Sequence, residues 1–117
     1  MRGWIIGLTF VATGAIAQEW PLRPGDEALD TATLEATLRG NSLTFFDDGV
    51  SEFYEDGRYT YTYANDGGTG YGYWRIEARG TVCIDFVNGF ARCDMYINDG
   101  TRLVLLTEKG DRFPIRP

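Results

Sequence analysis

At 117 residues the chain is long enough to bury one real core and too short for two. Seventeen acidic residues against eleven basic ones give a net charge of −6. That balance repels phosphate backbones and anionic lipid surfaces, so nucleic acid is not an expected partner. The chain has no histidine, which removes Ser–His–Asp and Cys–His catalysis together with the commonest proton shuttle and metal ligand.

The first residues read as a signal peptide, 1–17. Arg2 supplies a positive start, Trp4 to Ile16 is an uncharged apolar run, and Ala15-Ile16-Ala17 places small residues before a cut between Ala17 and Gln18. The run is shorter than the roughly twenty apolar residues that span a bilayer. Gln18 stands where a lipoprotein would need cysteine. Cleavage leaves residues 18–117, and losing Arg2 moves the net charge from −6 to −7. A periplasmic or secreted location follows, without membrane attachment after cleavage.

Residues 18–28 read as an extended arm, because Pro21 and Pro24 break any helix running through them. Residues 29–117 then form a single domain. Its helical candidate is Asp30–Arg39, with Asp30 as cap, Leu34 and Leu38 on one face, and Gly40 just beyond the end. Such a short helix needs a surface to pack on.

From Asn41 onward, aromatic and β-branched runs alternate with turn signals such as Asp48-Gly49, Asp56-Gly57, Asn88-Gly89 and Asp99-Gly100. The spacing predicts strands at Ser42–Phe46, Val50–Tyr54, Arg58–Ala64, Tyr71–Glu77, Thr81–Val87, Phe90–Ile97, Thr101–Thr107 and Arg112–Ile115. Pro114 makes the last an edge strand at most. The fold expected is mainly β: an antiparallel up-and-down meander of about eight strands, curled into a barrel or half-barrel with the helix packed on it. Thr101–Thr107 is apolar on both faces, which would seat it between the barrel interior and the helix.

Cys83 and Cys93, alone and ten residues apart, read as a disulfide in an oxidising compartment. Their hairpin holds a conflict. A two-residue Asn88-Gly89 turn gives a clean apolar face of Val82, Met95, Ile84 and Phe86, but it sends the two cysteines to opposite faces. A three-residue loop with Gly89 as bulge residue puts Cys83 opposite Cys93 and sets Ile84 against Arg92. The expectation adopted is the disulfide, with a bulge inside one strand to reconcile both demands.

Several short motifs occur in a fixed order: Leu38-Arg39-Gly40-Asn41-Ser42-Leu43, Tyr54-Glu55-Asp56-Gly57-Arg58, Gly72-Tyr73-Trp74-Arg75-Ile76-Glu77, Val82-Cys83-Ile84, Cys93, and Asp99-Gly100. In this order, which covers most of the mature chain, the sequence resembles a family of small exported proteins of unknown function from Gram-negative bacteria. The resemblance implies a helix followed by a β-meander in the cell envelope, and no catalytic residues. The chain departs from the family pattern at Phe113-Pro114-Ile115-Arg116-Pro117, where a further glycine-containing turn is expected.

No cofactor motif is present: Gly67-Gly68-Thr69-Gly70-Tyr71-Gly72 lies between strands, with no helix and no following lysine. Two cysteines without short spacing do not make a zinc site. Asp47, Asp48, Glu52, Glu55 and Asp56 lie in successive turns and would be the carboxylates of a glycosidase or calcium site, although such residues usually just form turns. The tyrosines are more informative. Tyr59, Tyr61 and Tyr63 alternate along one strand and Tyr71 and Tyr73 along the next. They would either pack across strands inside the barrel or line a surface or barrel mouth that binds a protein or glycan. The reading is therefore a non-catalytic envelope binding module, without cofactor or metal. The alternatives are an acidic inhibitor of a cationic hydrolase such as lysozyme, and a small-ligand carrier of lipocalin type.

Overall fold

The computed structural model describes residues 20–117, so the expected leader and its Ala17–Gln18 cut lie outside the described residues. The elements run β1 (Glu27–Ala28), α1 (Thr31–Leu38), β2 (Asn41–Thr44), β3 (Val50–Phe53), β4 (Arg58–Thr62), β5 (Thr69–Ile76), β6 (Thr81–Phe86), β7 (Ala91–Asn98), β8 (Leu103–Leu106) and β9 (Arg112–Pro114). Strands β2 to β9 pair in sequence order, each antiparallel to the next, as a meander requires. The sheet curls into a half-barrel. Its two edges meet at one bridge, Phe45 to Ile115, beside an Arg116 N–H that donates to the Thr44 carbonyl at 2.7 Å. Pro114 lies on edge strand β9, where its missing donor costs no ladder bond.

Helix α1 forms where the sequence places it. The Asp30 carboxylate accepts from the Thr33 N–H at 2.8 Å, closing the first turn. Leu34 and Leu38 are fully buried and join Phe53, Trp74 and Tyr96 in the interior cluster, so the helix closes one end of the half-barrel. Each such leucine contributes about 1.5–3 kcal/mol of burial, which a helix of eight residues cannot do without. Phe53 centres the cluster, with edge-on contacts to Tyr59 at 5.1 Å and Trp74 at 5.3 Å.

The chain before the helix is tied down at its inner end. β1 pairs with the far end of β7, Glu27 opposite Asn98 and Ala28 opposite Ile97, where β6 has already ended. Asp26 accepts two 2.9 Å bonds from the Arg112 guanidinium, which holds its carboxyl below the usual range.

Two expectations are corrected. The outer face of β8 does not meet the helix. Val104 and Leu106 pack with Met95 and Ile97 of β7 under Trp20 of the arm, while α1 sits against β2 and β5. The helix leucines are taken up by the interior, which leaves the outer apolar face for the arm to cover. In the cysteine hairpin, the disulfide is present and Cys83 lies directly opposite Cys93. The expected bulge inside a strand is absent: pairing runs unbroken from Thr81–Met95 to Asp85–Ala91. The three-residue loop Val87-Asn88-Gly89 alone absorbs the extra residue. Gly89 takes φ +92°, and its N–H returns to the Phe86 carbonyl at 2.9 Å. Ile84 therefore does face Arg92, and Val82 faces Asp94.

Candidate binding cavity

That register sends Arg92, Asp94 and Tyr96 of β7 into the half-barrel. It is tolerated because the two charges neutralise each other. The Arg92 guanidinium donates to both oxygens of Asp94, at 2.7 and 3.0 Å. The Asp94 side chain is 8 % exposed and that of Arg92 is 42 %, so the pair lies across the boundary between core and open space.

The open space is a cavity of about 510 Å³ inside the curl of the sheet. Gly70 lines it from an inward position, and Gly72 on the same face lets the β6 backbone pass close. Gly72 lies opposite Tyr59 and Gly70 opposite Tyr61, so β5 presents bare backbone to the rings of β4. A Cβ on Gly72 would stand 2.5 Å from the Asp85 carbonyl oxygen. At Gly49 a Cβ would collide with the Tyr61 hydroxyl, so that ring can reach its place only over a glycine.

The five candidate tyrosines divide between two faces. Tyr59, Tyr61 and Tyr63 line the cavity in order of depth: Tyr59 is 7 % exposed, Tyr61 half-buried and Tyr63 57 % exposed at the mouth. Phe90 and Phe113 are the other exposed rings at the mouth. Tyr71 and Tyr73 point away from the cavity, on the outer face opposite Thr60 and Arg58. A single five-tyrosine surface does not form, because pairing the tyrosines of β4 with Gly70 and Gly72 puts the β5 tyrosines on the other side.

The inner end of the cavity is polar. The Ser51 and Tyr59 hydroxyls share a hydrogen bond of 2.7 Å. Burial pushes the Tyr59 hydroxyl up to about 12, against the smaller opposing pull of Ser51. Tyr96 is 3 % exposed, and burial raises its hydroxyl well above the ordinary tyrosine value. Among the described residues, nothing makes a hydrogen bond to that hydroxyl. A buried polar group left alone costs about 1–3 kcal/mol, so the geometry is incomplete without a further polar atom.

No family model, curated protein or solved structure matches this chain. The reading of the site therefore rests on its own geometry.

The five turn carboxylates do not form one cluster: Glu52, Glu55 and Asp56 border an open recess with Arg58, of which Asp47 and Asp48 are not part. Asp47 reaches the cavity rim, where it accepts from the Gly49 N–H at 2.9 Å. Asp48 pairs with Arg116 and Asp56 with Arg58. Glu52 lies on the outer face, accepting from the Tyr54 and Thr60 hydroxyls at 3.1 Å each. Among the described residues no three Asp, Glu or Cys side chains gather as a metal site, and no helix is long and apolar enough to cross a membrane.

Sequence reading missed Arg92, Asp94, Tyr96 and Ser51 as cavity residues. The signal for the first two was present in the cysteine hairpin: the register that permits the disulfide is also the one that turns a charged pair inward.

Proposed function

We propose that this is an exported, non-catalytic binding module that holds a small ligand in the mouth of its half-barrel, as a carrier of lipocalin type does. The observation that carries the reading is the cavity itself. Its volume of about 510 Å³ falls within the range of small-molecule sites, and its aromatic walls lead to a few polar groups at the inner end. Flat rings supply contact area at little entropic cost, while the polar end supplies orientation. The cavity favours this reading over a hydrolase inhibitor, which has only the net acidic charge behind it.

Export is part of the same reading. It is supported by the Cys83–Cys93 disulfide, which fits an oxidising compartment, and by the leader pattern of residues 1–17. The resemblance to small cell-envelope proteins agrees with it.

The test uses a neutral fluorescent probe, N-phenyl-1-naphthylamine, titrated into the oxidised protein recovered from expression of the full chain. One saturable site is expected. Gly70→Leu, which projects a side chain into the cavity, should abolish it while the circular dichroism spectrum stays that of the parent. Absence of a saturable site in the parent, or equal binding by a folded Gly70→Leu protein, would overturn the proposal.

A further inference from the structure

Resting on the carrier reading, we infer that the ligand is a neutral, ring-bodied molecule that leads with a carbonyl or hydroxyl oxygen. Arg92 spends Nε and Nη2 on Asp94, and among the described residues its Nη1 has no partner. The Tyr96 hydroxyl is likewise unpartnered and almost fully buried. Nη1 can only donate, and the hydroxyl has a proton to donate. An acceptor oxygen on the incoming molecule is therefore the partner that both groups can serve at once.

Charge then narrows the class. The ionised side chains that line the cavity are Arg92, Asp94 and Asp47, two carboxylates against one guanidinium. The Arg92 charge is already neutralised by a bidentate partner, so an entering carboxylate would meet a net negative wall. An ammonium group would find that wall attractive but brings only donors, which Arg92 Nη1 cannot accept. A neutral oxygen satisfies both constraints. The body of the ligand is set by Tyr61, Tyr63, Phe86 and Phe90, rings that favour another flat or ring-shaped apolar surface.

Four probes with one body separate these cases: 2-acetylnaphthalene, 2-ethylnaphthalene, 2-naphthoate and 1-(2-naphthyl)ethylammonium, each titrated by calorimetry into the oxidised protein. The ketone is expected to bind about ten-fold more tightly than the hydrocarbon, the increment of one well-made hydrogen bond to a buried group. It should also bind more tightly than either ion. Tyr96→Phe, which keeps the ring, should reduce the ketone's advantage several-fold, and the loss should be smaller for the hydrocarbon. Tighter binding of the naphthoate or the ammonium overturns the inference. So does a ketone no better than the hydrocarbon, and in each of these cases the carrier reading survives. If none of the four binds and N-phenyl-1-naphthylamine also fails, the carrier reading itself has gone.

Discussion

On the outer face of the sheet, β7 and β8 bring Met95, Ile97, Val104 and Leu106 together under Trp20, each of the four nearly or fully buried. On the inner face the same β7 presents Arg92, Asp94 and Tyr96 to an open cavity. One strand thus serves two kinds of packing, separated only by the alternation of its side chains. The outer cluster removes apolar surface from water and leaves no polar group to satisfy. The inner face keeps an ion pair, a solitary hydroxyl and unfilled volume, of which the last two lower stability. The contrast teaches a division of labour: the outer cluster and the inner cluster around Phe53 supply rigidity, which frees the cavity end of the inner face to remain incomplete for recognition.

The sharpest way to break this comparison is to truncate equally on both sides. Ile97 has no exposed surface, and Ile97→Ala should cost about 3–4 kcal/mol in urea unfolding, from lost burial and the void left behind. Phe90→Ala removes a ring at the cavity mouth that is 59 % exposed, and should cost under about 1 kcal/mol. Equal losses would mean that the mouth is as much a part of the core as Ile97.

The disulfide comes next. It joins β6 and β7 at outward-facing positions, closing a loop of ten residues in sequence separation. The chain-entropy account gives about 2.5–3 kcal/mol for a loop this short. Replacing both cysteines with serine should lower stability by about that amount while leaving N-phenyl-1-naphthylamine affinity close to the parent value. A large loss of affinity in a protein that still folds would show that the bridge holds the cavity open, and the two faces would then not be independent.

Alkaline titration reads the inner face directly. The Tyr59 hydroxyl stands at about 12 in the folded protein against an ordinary 10.0. A raised folded value favours the protonated form, so its contribution is complete below pH ~10 and is lost as pH climbs toward about 12. That difference amounts to a few kcal/mol at the upper end, and Tyr96 shifts in the same direction. Unfolding monitored by tyrosinate absorbance should become progressively easier across that window. Tyr59→Phe, measured beside it, should flatten the slope. A parent slope no steeper than that of Tyr59→Phe would place Tyr59 in contact with solvent.

The parts of this molecule that were readable in advance are those decided by neighbours in the chain. The Asp30 cap, the Leu34–Leu38 face, the Asp-Gly turns and the two-residue period of the strands are local, and each appears within a residue or two of its expected place. Parity across a hairpin is not local. It depends on whether the loop at Val87–Gly89 holds two residues or three, and that choice turns Arg92 and Asp94 inward and Met95 outward. The same dependence at Asn65–Gly68 separates Tyr71 and Tyr73 from Tyr59 and Tyr61. Gly70 and Gly72 could be assigned to the face of Trp74 from spacing alone. That they stand opposite two tyrosines, with Gly70 in the wall of a cavity, follows only once the whole sheet has curled.

The smallest expected effect bears most directly on the inner face. Tyr96→Phe deletes one oxygen and leaves the ring to pack beside Phe53 at 6.4 Å. If the hydroxyl is as solitary as its surroundings indicate, its removal relieves a desolvated polar group. Thermal and urea unfolding of the ligand-free protein should then show a gain of up to about 1 kcal/mol. The gain should reverse when 2-acetylnaphthalene is added in excess, since a ligand that binds the parent more tightly stabilises it more. A loss of stability in the ligand-free Tyr96→Phe protein would mean that the oxygen already makes a bond worth keeping, through a trapped water. The inner end of the cavity would then be a finished core, no different in kind from the cluster around Ile97.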